Sequence, residues 1–350
     1  MRFLTPFVYL IALTAIGAIA VIVWLGFSFR QFDVVEAKGK LRCTPVVGIY
    51  GAIDIAPLPG TGIAFLSTMD RRGEAPRGML LRFDTDNPLD DSSWRDRTDG
   101  APALLNPMGI DLYHTLLPDG RALNRLFAVN LAGPEVLLYD IDASGDLVLR
   151  ERFSDPRLTS PNDVVATGPR SFYVTNDTAA GRESWRGKVD FMFGFKTGQI
   201  LHYDGSSWSD VADGLAFPNG LALSDDGKTL YLAEMRAKRL VRYERDPETD
   251  VLTASRYVPL DTFPDSVSID TDNHVLVGSI PQPLSFTAYG EGLKDQAPSQ
   301  IMRVAESGLT ETVFQDPGDV LSAATVGVRL KDKILIGSRA ADRFLMCSGG

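Results

Sequence analysis

The sequence predicts an all-β fold, a six-bladed β-propeller that follows an N-terminal transmembrane helix. Three observations predict it: an uncharged apolar run at the N-terminus, six approximate repeats of short alternating strands, and two cysteines that bracket those repeats. Residues 1–30 are thereby assigned to a membrane anchor and residues 31–350 to the propeller.

The apolar run extends from Pro6 to Phe29 and reads PFVYLIALTAIGAIAVIVWLGFSF. As a helix it reaches across a hydrocarbon core of about 30 Å. A cleaved secretory signal is the alternative, because Ala18-Ile19-Ala20 has the small-x-small form of a cleavage site. That triplet, however, sits inside the run, with Val21 to Phe27 still to come. Flanking charge does not orient the helix: Arg2 precedes it and Arg30, Lys38, Lys40 and Arg42 follow it, which on the positive-inside rule alone would keep the propeller cytoplasmic. The cysteines argue the other way. Cys43 and Cys347 lie at the two ends of the soluble part. Joined, they would tie together the ends of a ring, and a disulfide persists only in an oxidising compartment. Two unrelated buried thiols are the alternative. The expected location is therefore a membrane-anchored propeller on the extracytoplasmic side.

With 350 residues, 44% hydrophobic and 23% charged, the chain buries a large core. A formal charge of −10, with acids and bases interspersed, repels a phosphate backbone and excludes nucleic acid as a partner. Residues 219–243 give the repeat most clearly: Asn-Gly, the strand LALS, the turn Asp225-Asp226-Gly227-Lys228, then TLYLAE and LVRYE. Strand, tight turn, strand, short loop, strand is a propeller blade without its outermost strand. The other copies run IDIAPLPGTGIAFLST with GMLLRFD; MGIDLYHTLLPDG with RLFAVN and EVLLYDID; PNDVVATGPRSFYVTND with GQILHYD; DSVSIDTDNHVLVGS with SQIMRV; and AATVGVRLKDKILIGS with DRFLMC. A β-sandwich is the alternative fold, but a single sandwich rarely needs so many repeated units.

In a propeller the innermost strand of each blade starts beside the central axis, so polar residues there converge from distant parts of the chain. Asp54, Asn162 with Asp163, Asn219, and Asp265 with Ser266 stand at such strand starts. Carboxylate and amide oxygens are the donors that a hard cation such as Ca²⁺ takes, and with no histidine or cysteine in the set zinc is disfavoured. The alternative is that Asn-Gly and Asp-Ser are turn formers capping strands.

Four segments carry a family resemblance: SPNDVVATGPRSFYVTND, FPNGLALSDDGKTLYLAE, DSVSID and KDKILIGSRAADRFLMC. In order and spacing they resemble the paraoxonase (arylesterase) family and, more distantly, the gluconolactonase/senescence-marker calcium propellers. The resemblance implies a disulfide between Cys43 and Cys347 and a retained hydrophobic N-terminus. It implies catalytic-calcium ligands at Asp54, Asn162, Asn219, Asp265 and Ser266, with Asp54 in place of the family's Glu and Ser266 in place of its Asn. Asp163 matches a ligand of the family's second, structural calcium, but Ile55 replaces that ion's acidic partner. The family's active-site histidines are replaced by Met108, Leu131 and Ile280. His114, on the strand GIDLYHTL, is the one candidate to replace them; otherwise it, His202 and His274 are ordinary strand or turn residues.

The implied activity is calcium-dependent hydrolysis of an ester or lactone. Asp265 would activate water, as an equivalent Asp does in the gluconolactonase-type propellers, and Asn162 and Asn219 would orient the carbonyl. Ser160 is expected to line the pocket. Met108, Leu131 and Ile280 would make its wall apolar, favouring hydrophobic esters, aryl esters or alkyl lactones over sugar lactones. The alternative is a non-catalytic, calcium-stapled propeller acting as a binding module. No G-x-S-x-G, H-E-x-x-H or C-x-x-C motif supports another hydrolase class. Asn176-Asp177-Thr178 is a glycosylation sequon.

Overall fold

The computed structural model describes residues 4–73, 77–90, 94, 96 and 98–349; Arg2 lies outside them. Helix α1, Leu4–Ser28, contains one span, Val8–Ser28, long and apolar enough to cross a membrane. Six sheets follow, antiparallel except where Thr98–Asp99 pairs parallel with Leu147–Phe153, and form a six-bladed propeller. The innermost strands are Ala52–Pro57, Pro107–Leu116, Pro161–Ala166, Pro218–Leu223, Phe263–Ile269 and Ala324–Leu330. Each packs against the inner strand of the next blade, and that of blade 6 packs against that of blade 1.

Ring closure uses both ends of the chain. Blade 6 takes three strands from the C-terminus, and its outer strand is Arg42–Val47 from just after the anchor. In this pairing Cys43 stands directly opposite Cys347, and the two form a disulfide across the strand pair. Lys38–Gly39 adds a further short strand to blade 5.

Every inner strand has a register shift near its start: between Ala52 and Asp54, Pro107 and Ile110, Pro161 and Val164, Pro218 and Leu221, Pro264 and Val267, and Ala324 and Val326. A bulge adds an unpaired residue and re-aims side chains, and Pro at the head of a strand suits it because no ladder donor is lost there. The bulged positions therefore present Asp54, Met108, Asn162, Asn219, Asp265 and Ser266 toward the axis instead of into the sheet stack. The loops before the inner strands of blades 2, 3 and 4 are also pinned. Asn130 Oδ1 accepts the N–H of Asn106 at 3.0 Å, Asn176 Oδ1 that of Ser160 at 2.7 Å, and Glu234 Oε1 that of Ala216 at 2.8 Å. Asn176 is fully buried in that role, so the sequon offers no site for a glycan in the folded chain.

Two short helices interrupt the strand cadence. Helix α2, Trp185–Phe193, lies between the second and third strands of blade 3; Ser184 caps it by accepting the N–H of Gly187, and Gly194, at φ 69°, ends it. Helix α3, Pro283–Gly290, occupies the corresponding place in blade 5. The end of helix α1 docks beside them. Phe29 is fully buried, with ring centroids 5.4 Å from Phe191 and 5.8 Å from Phe263, and the Arg236 guanidinium lies 4.3 Å from its centroid.

The disulfide closes a separation of 304 residues, for which the loop-entropy view gives a stabilisation of about 5 kcal/mol. Replacing both Cys43 and Cys347 with Ala is expected to lower the thermal midpoint by several degrees, and reductant should lower that of the wild type but not of the variant. Equal midpoints for wild type and variant would show that strand pairing alone closes the ring.

Candidate functional site

A cavity of about 530 Å³ opens at the axis. Asp54 from blade 1, Asn162 from blade 3, Asn219 from blade 4 and Asp265 with Ser266 from blade 5 all line it. These are the residues that the strand starts single out, and the structure brings them together. The rest of the wall is mostly apolar: Met108 and Ile280 line it, with Phe191 and Met192 from α2, Leu284 and Phe286 from α3, and Phe217 from the loop leading into blade 4.

The acids also bind the blades to one another. Asp54 Oδ2 accepts the N–H of Ile110 at 2.8 Å, linking blade 1 to blade 2. Asp111 Oδ2 accepts that of Ala166 at 2.7 Å, and Asp163 Oδ2 that of Leu221 at 2.7 Å, linking blades 2 to 3 and 3 to 4. Asp163 Oδ1 also accepts the N–H of Val164 at 2.8 Å, so this carboxylate sits below the cavity floor with both oxygens engaged. Gly109 makes room for it, since a Cβ there would lie 1.9 Å from Asp163 Oδ1. At position 55, the Ile side chain is buried in the apolar core between blades 1 and 6 and supplies no oxygen beside Asp163.

Burial holds these carboxyls far above the usual carboxylate range. Asp54 is pushed to about 7, chiefly by desolvation and further by Asp111 and Asp265, against the N–H groups of Ile110 and Ile55. Asp265 also reaches about 7 by desolvation, although the charges of Arg339 and Arg182 oppose the rise. Asp163 rises well above its ordinary value through burial and the charge of Asp54, and Asp111 is held at about 6 by burial. Asn219 Oδ1 is buried without a hydrogen-bond partner among the described residues. Asn162 Nδ2 donates to Asp177 Oδ1 at 2.9 Å, which commits the amide nitrogen and leaves its oxygen for another partner. An orphaned amide oxygen beside crowded carboxylates is the donor set of a hard divalent cation.

Other expected residues fall elsewhere. Ser160 is buried behind the wall, where its hydroxyl bonds Asp177 at 3.5 Å and accepts from Arg182 Nε at 3.3 Å. Leu131 follows the second strand of blade 2 and packs on the apolar core between blades 2 and 3, not on the cavity. None of the histidines lines the cavity. His114 is exposed toward the far end of its strand and pairs with Asn124 Oδ1 at 2.6 Å. His202 stacks on Tyr173 with ring centroids 4.6 Å apart. His274 forms a cluster with Asp270 and Asp272 in the turn of blade 5, and Arg303 pairs with it, with Nε 3.0 Å from Asp270 and Nη2 2.9 Å from Asp272 and 3.0 Å from His274.

Strand starts alone gave no sign of Asp111, Asp177, Arg182, Arg339 or the two wall helices. The helices, of 9 and 8 residues, are too short to register against the strand alternation. Their one local signal is Pro283 after a strand that ends in GSI.

The sequence matches the Arylesterase family over residues 105–348. Serum paraoxonase/arylesterase 1 of Rattus norvegicus is 31% identical over 345 residues, covering 89% of each chain. The chain belongs to the arylesterase family. Among solved structures, this arylesterase-family propeller resembles a gluconolactonase of Xanthomonas campestris, with a TM-score of 0.57 at 17% identity, covering 89% of this chain and 90% of that one. It also resembles the calcium-binding protein regucalcin of Agrobacterium tumefaciens, with a TM-score of 0.51 at 16% identity, covering 88% of this chain and 93% of that one. At these identities the two neighbours support the fold alone.

Gly109→Ala should destabilise the protein by about 2–3 kcal/mol, because the new methyl and the Asp163 carboxylate cannot share one place. Urea unfolding in detergent checks this, and an unchanged midpoint would mean that blades 2 and 3 separate more readily than the packing implies.

Proposed function

We propose that this arylesterase-family protein is a calcium-dependent hydrolase of esters or lactones, anchored in a membrane with its propeller on the extracytoplasmic side. The observation that carries the reading is the set of oxygens from four blades on one small-molecule-sized cavity, with the Asn219 oxygen left without a protein partner. Similarity to a serum paraoxonase/arylesterase along most of the chain supports the ester class.

Asp54, Asn162, Asn219, Asp265 and Ser266 would hold the ion. Calcium bound there supplies a charge that polarises a carbonyl and offsets the negative charge developing on its oxygen. Asp265 takes a proton from the attacking water. It is a cavity-lining carboxylate beside the ion's other oxygen donors, and no cavity histidine competes for the role. Asn162 is held in place by Asp177, itself paired with Arg182. Asn219 bonds Asp265 and so fixes the base relative to the carbonyl. Met108, Ile280, Phe191 and Phe286 exclude water and receive an apolar body. The cysteine pair and the anchoring helix both suit the membrane-bound, oxidising setting.

Chelation of the purified full-length protein is expected to reduce arylester or lactone turnover by about a hundredfold or more, and Asn162→Ala to weaken calcium binding by about tenfold or more. Full activity after either change would remove the metal from the reaction. Tight calcium binding without turnover on a broad ester and lactone panel would instead leave the calcium-stapled binding module.

Acidity provides a second check. Asp54 and Asp265, near 7 without the ion, are partly protonated at acidic pH and must lose those protons to bind a cation. Calcium affinity should therefore fall as pH drops from about 8 to about 6, by up to about tenfold per pH unit for each proton displaced. Calorimetry in buffers of different ionisation enthalpy reads the proton release directly, and an affinity flat across that window would refute the exchange.

A further inference from the structure

One corner of the cavity is cationic. Arg339, just after the second strand of blade 6, lines the cavity. Its backbone is fixed: the N–H donates to Ala323 O at 3.0 Å, and the carbonyl accepts from Arg71 Nη1 at 3.1 Å. The guanidinium lies 5.4 Å from the Phe286 ring centroid, and Nε is buried with no hydrogen-bond partner among the described residues. Gly290 leaves it space, since a Cβ there would lie 2.6 Å from that Nε.

Two more guanidinium groups share the corner. Arg182 lines the cavity and pairs with Asp177. Arg71, behind them, gives its hydrogen bonds to neutral oxygens, Asn106 Oδ1 at 3.3 Å, Pro107 O at 3.2 Å and the Arg339 carbonyl. Three cations therefore have one paired carboxylate among them. Burial first, then mutual repulsion, lowers Arg71 to about 9 and also lowers Arg339. Asp265 acts on Arg339 only through space, as do Glu183 and Glu291, which are exposed at the rim. A buried guanidinium without an anion is costly, and its planar fork matches a carboxylate. Elsewhere the wall is apolar, with Phe191, Met192 and Phe217.

We propose that Arg339, flanked by Arg182, is a specificity-determining anion subsite that receives a carboxylate of the substrate, so that the preferred ester or lactone carries a carboxylate on an apolar body. The assignment rests on the hydrolase reading for its substrate, but not for its ligand chemistry.

The test compares para-acetoxybenzoate with its methyl ester on the calcium-loaded full chain. The wild type is expected to favour the anionic ester by at least about tenfold in kcat/KM, mainly through KM, and added salt should compress that ratio. Arg339→Met should lower the ratio by about 10–100-fold, and Arg339→Lys should retain part of it. Binding of para-hydroxybenzoate, followed by calorimetry, should weaken in parallel across the two variants. A wild-type ratio near one, or an equal loss for both esters in Arg339→Met, overturns the subsite. Absence of turnover together with Arg339-dependent binding of the acid overturns the hydrolase reading and retains the subsite. Turnover with acid binding indifferent to Arg339 does the reverse.

Discussion

The architecture turns on one electrostatic constraint: closing the ring forces carboxylates from different blades into a shared low-dielectric space. Asp54, Asp111 and Asp163 meet there because each uses an oxygen to take up a backbone N–H of the next blade. The same hydrogen bonds that join the blades thus gather negative charge on the axis. Backbone donors offset part of the cost, and the rest appears as carboxyls raised well above their solvated range. Such a centre is stable in two ways, by protonation or by a cation, and the Asn219 oxygen left without a donor is suited to the second.

Ring closure in turn depends on the chain ends. The outer strand of blade 6 comes from residues 42–47, just beyond the anchor, and it pairs with the last strand of the chain. That pairing completes blade 6, whose inner strand Ala324–Leu330 meets Ala52–Pro57 of blade 1 through a shared apolar core. Thr325 Oγ1 to Ile53 O, at 2.7 Å, is the bond that seals this seam beside the axis. The disulfide across the outer strands and the cluster of oxygens at the centre are therefore two ends of one mechanical element.

Much of this is readable without coordinates, for reasons particular to propellers. Alternation with Gly, Asp and Pro punctuation marks the blades, and the polar residues at strand starts identify Asp54, Asn162, Asn219, Asp265 and Ser266, because bulges at fixed places turn those side chains to the axis. Residues that act through loops escape such a reading. Arg182 and Arg339 follow second strands, where no period marks them, and helices α2 and α3 are loop insertions set by contacts with Phe29 and Arg236, far away in sequence. Ser160 and Leu131 show the converse error. The sequence reading places Ser160 at the pocket and the family resemblance places Leu131 there, whereas the hydroxyl of Ser160 serves Asp177 and the side chain of Leu131 fills the seam between two blades.

Loss of histidine from the axis need not silence the chemistry. A histidine base works because its proton affinity lies near neutrality, and Asp265, a carboxylate on the cavity wall, is the group that would act in its stead. Neither supplies a charge to stabilise an oxyanion, so hydrolysis at a site of this composition would depend more heavily on a bound cation than at one that shares the work with imidazole. The cavity wall argues the same way. Met108 and Ile280, beside Phe191 and Phe286, make the surroundings of the carboxyls drier, and a drier site strengthens both the base and the pull of a cation on a carbonyl. A surface meant for a protein partner would gain nothing from that dryness, whereas a small ester held against it would.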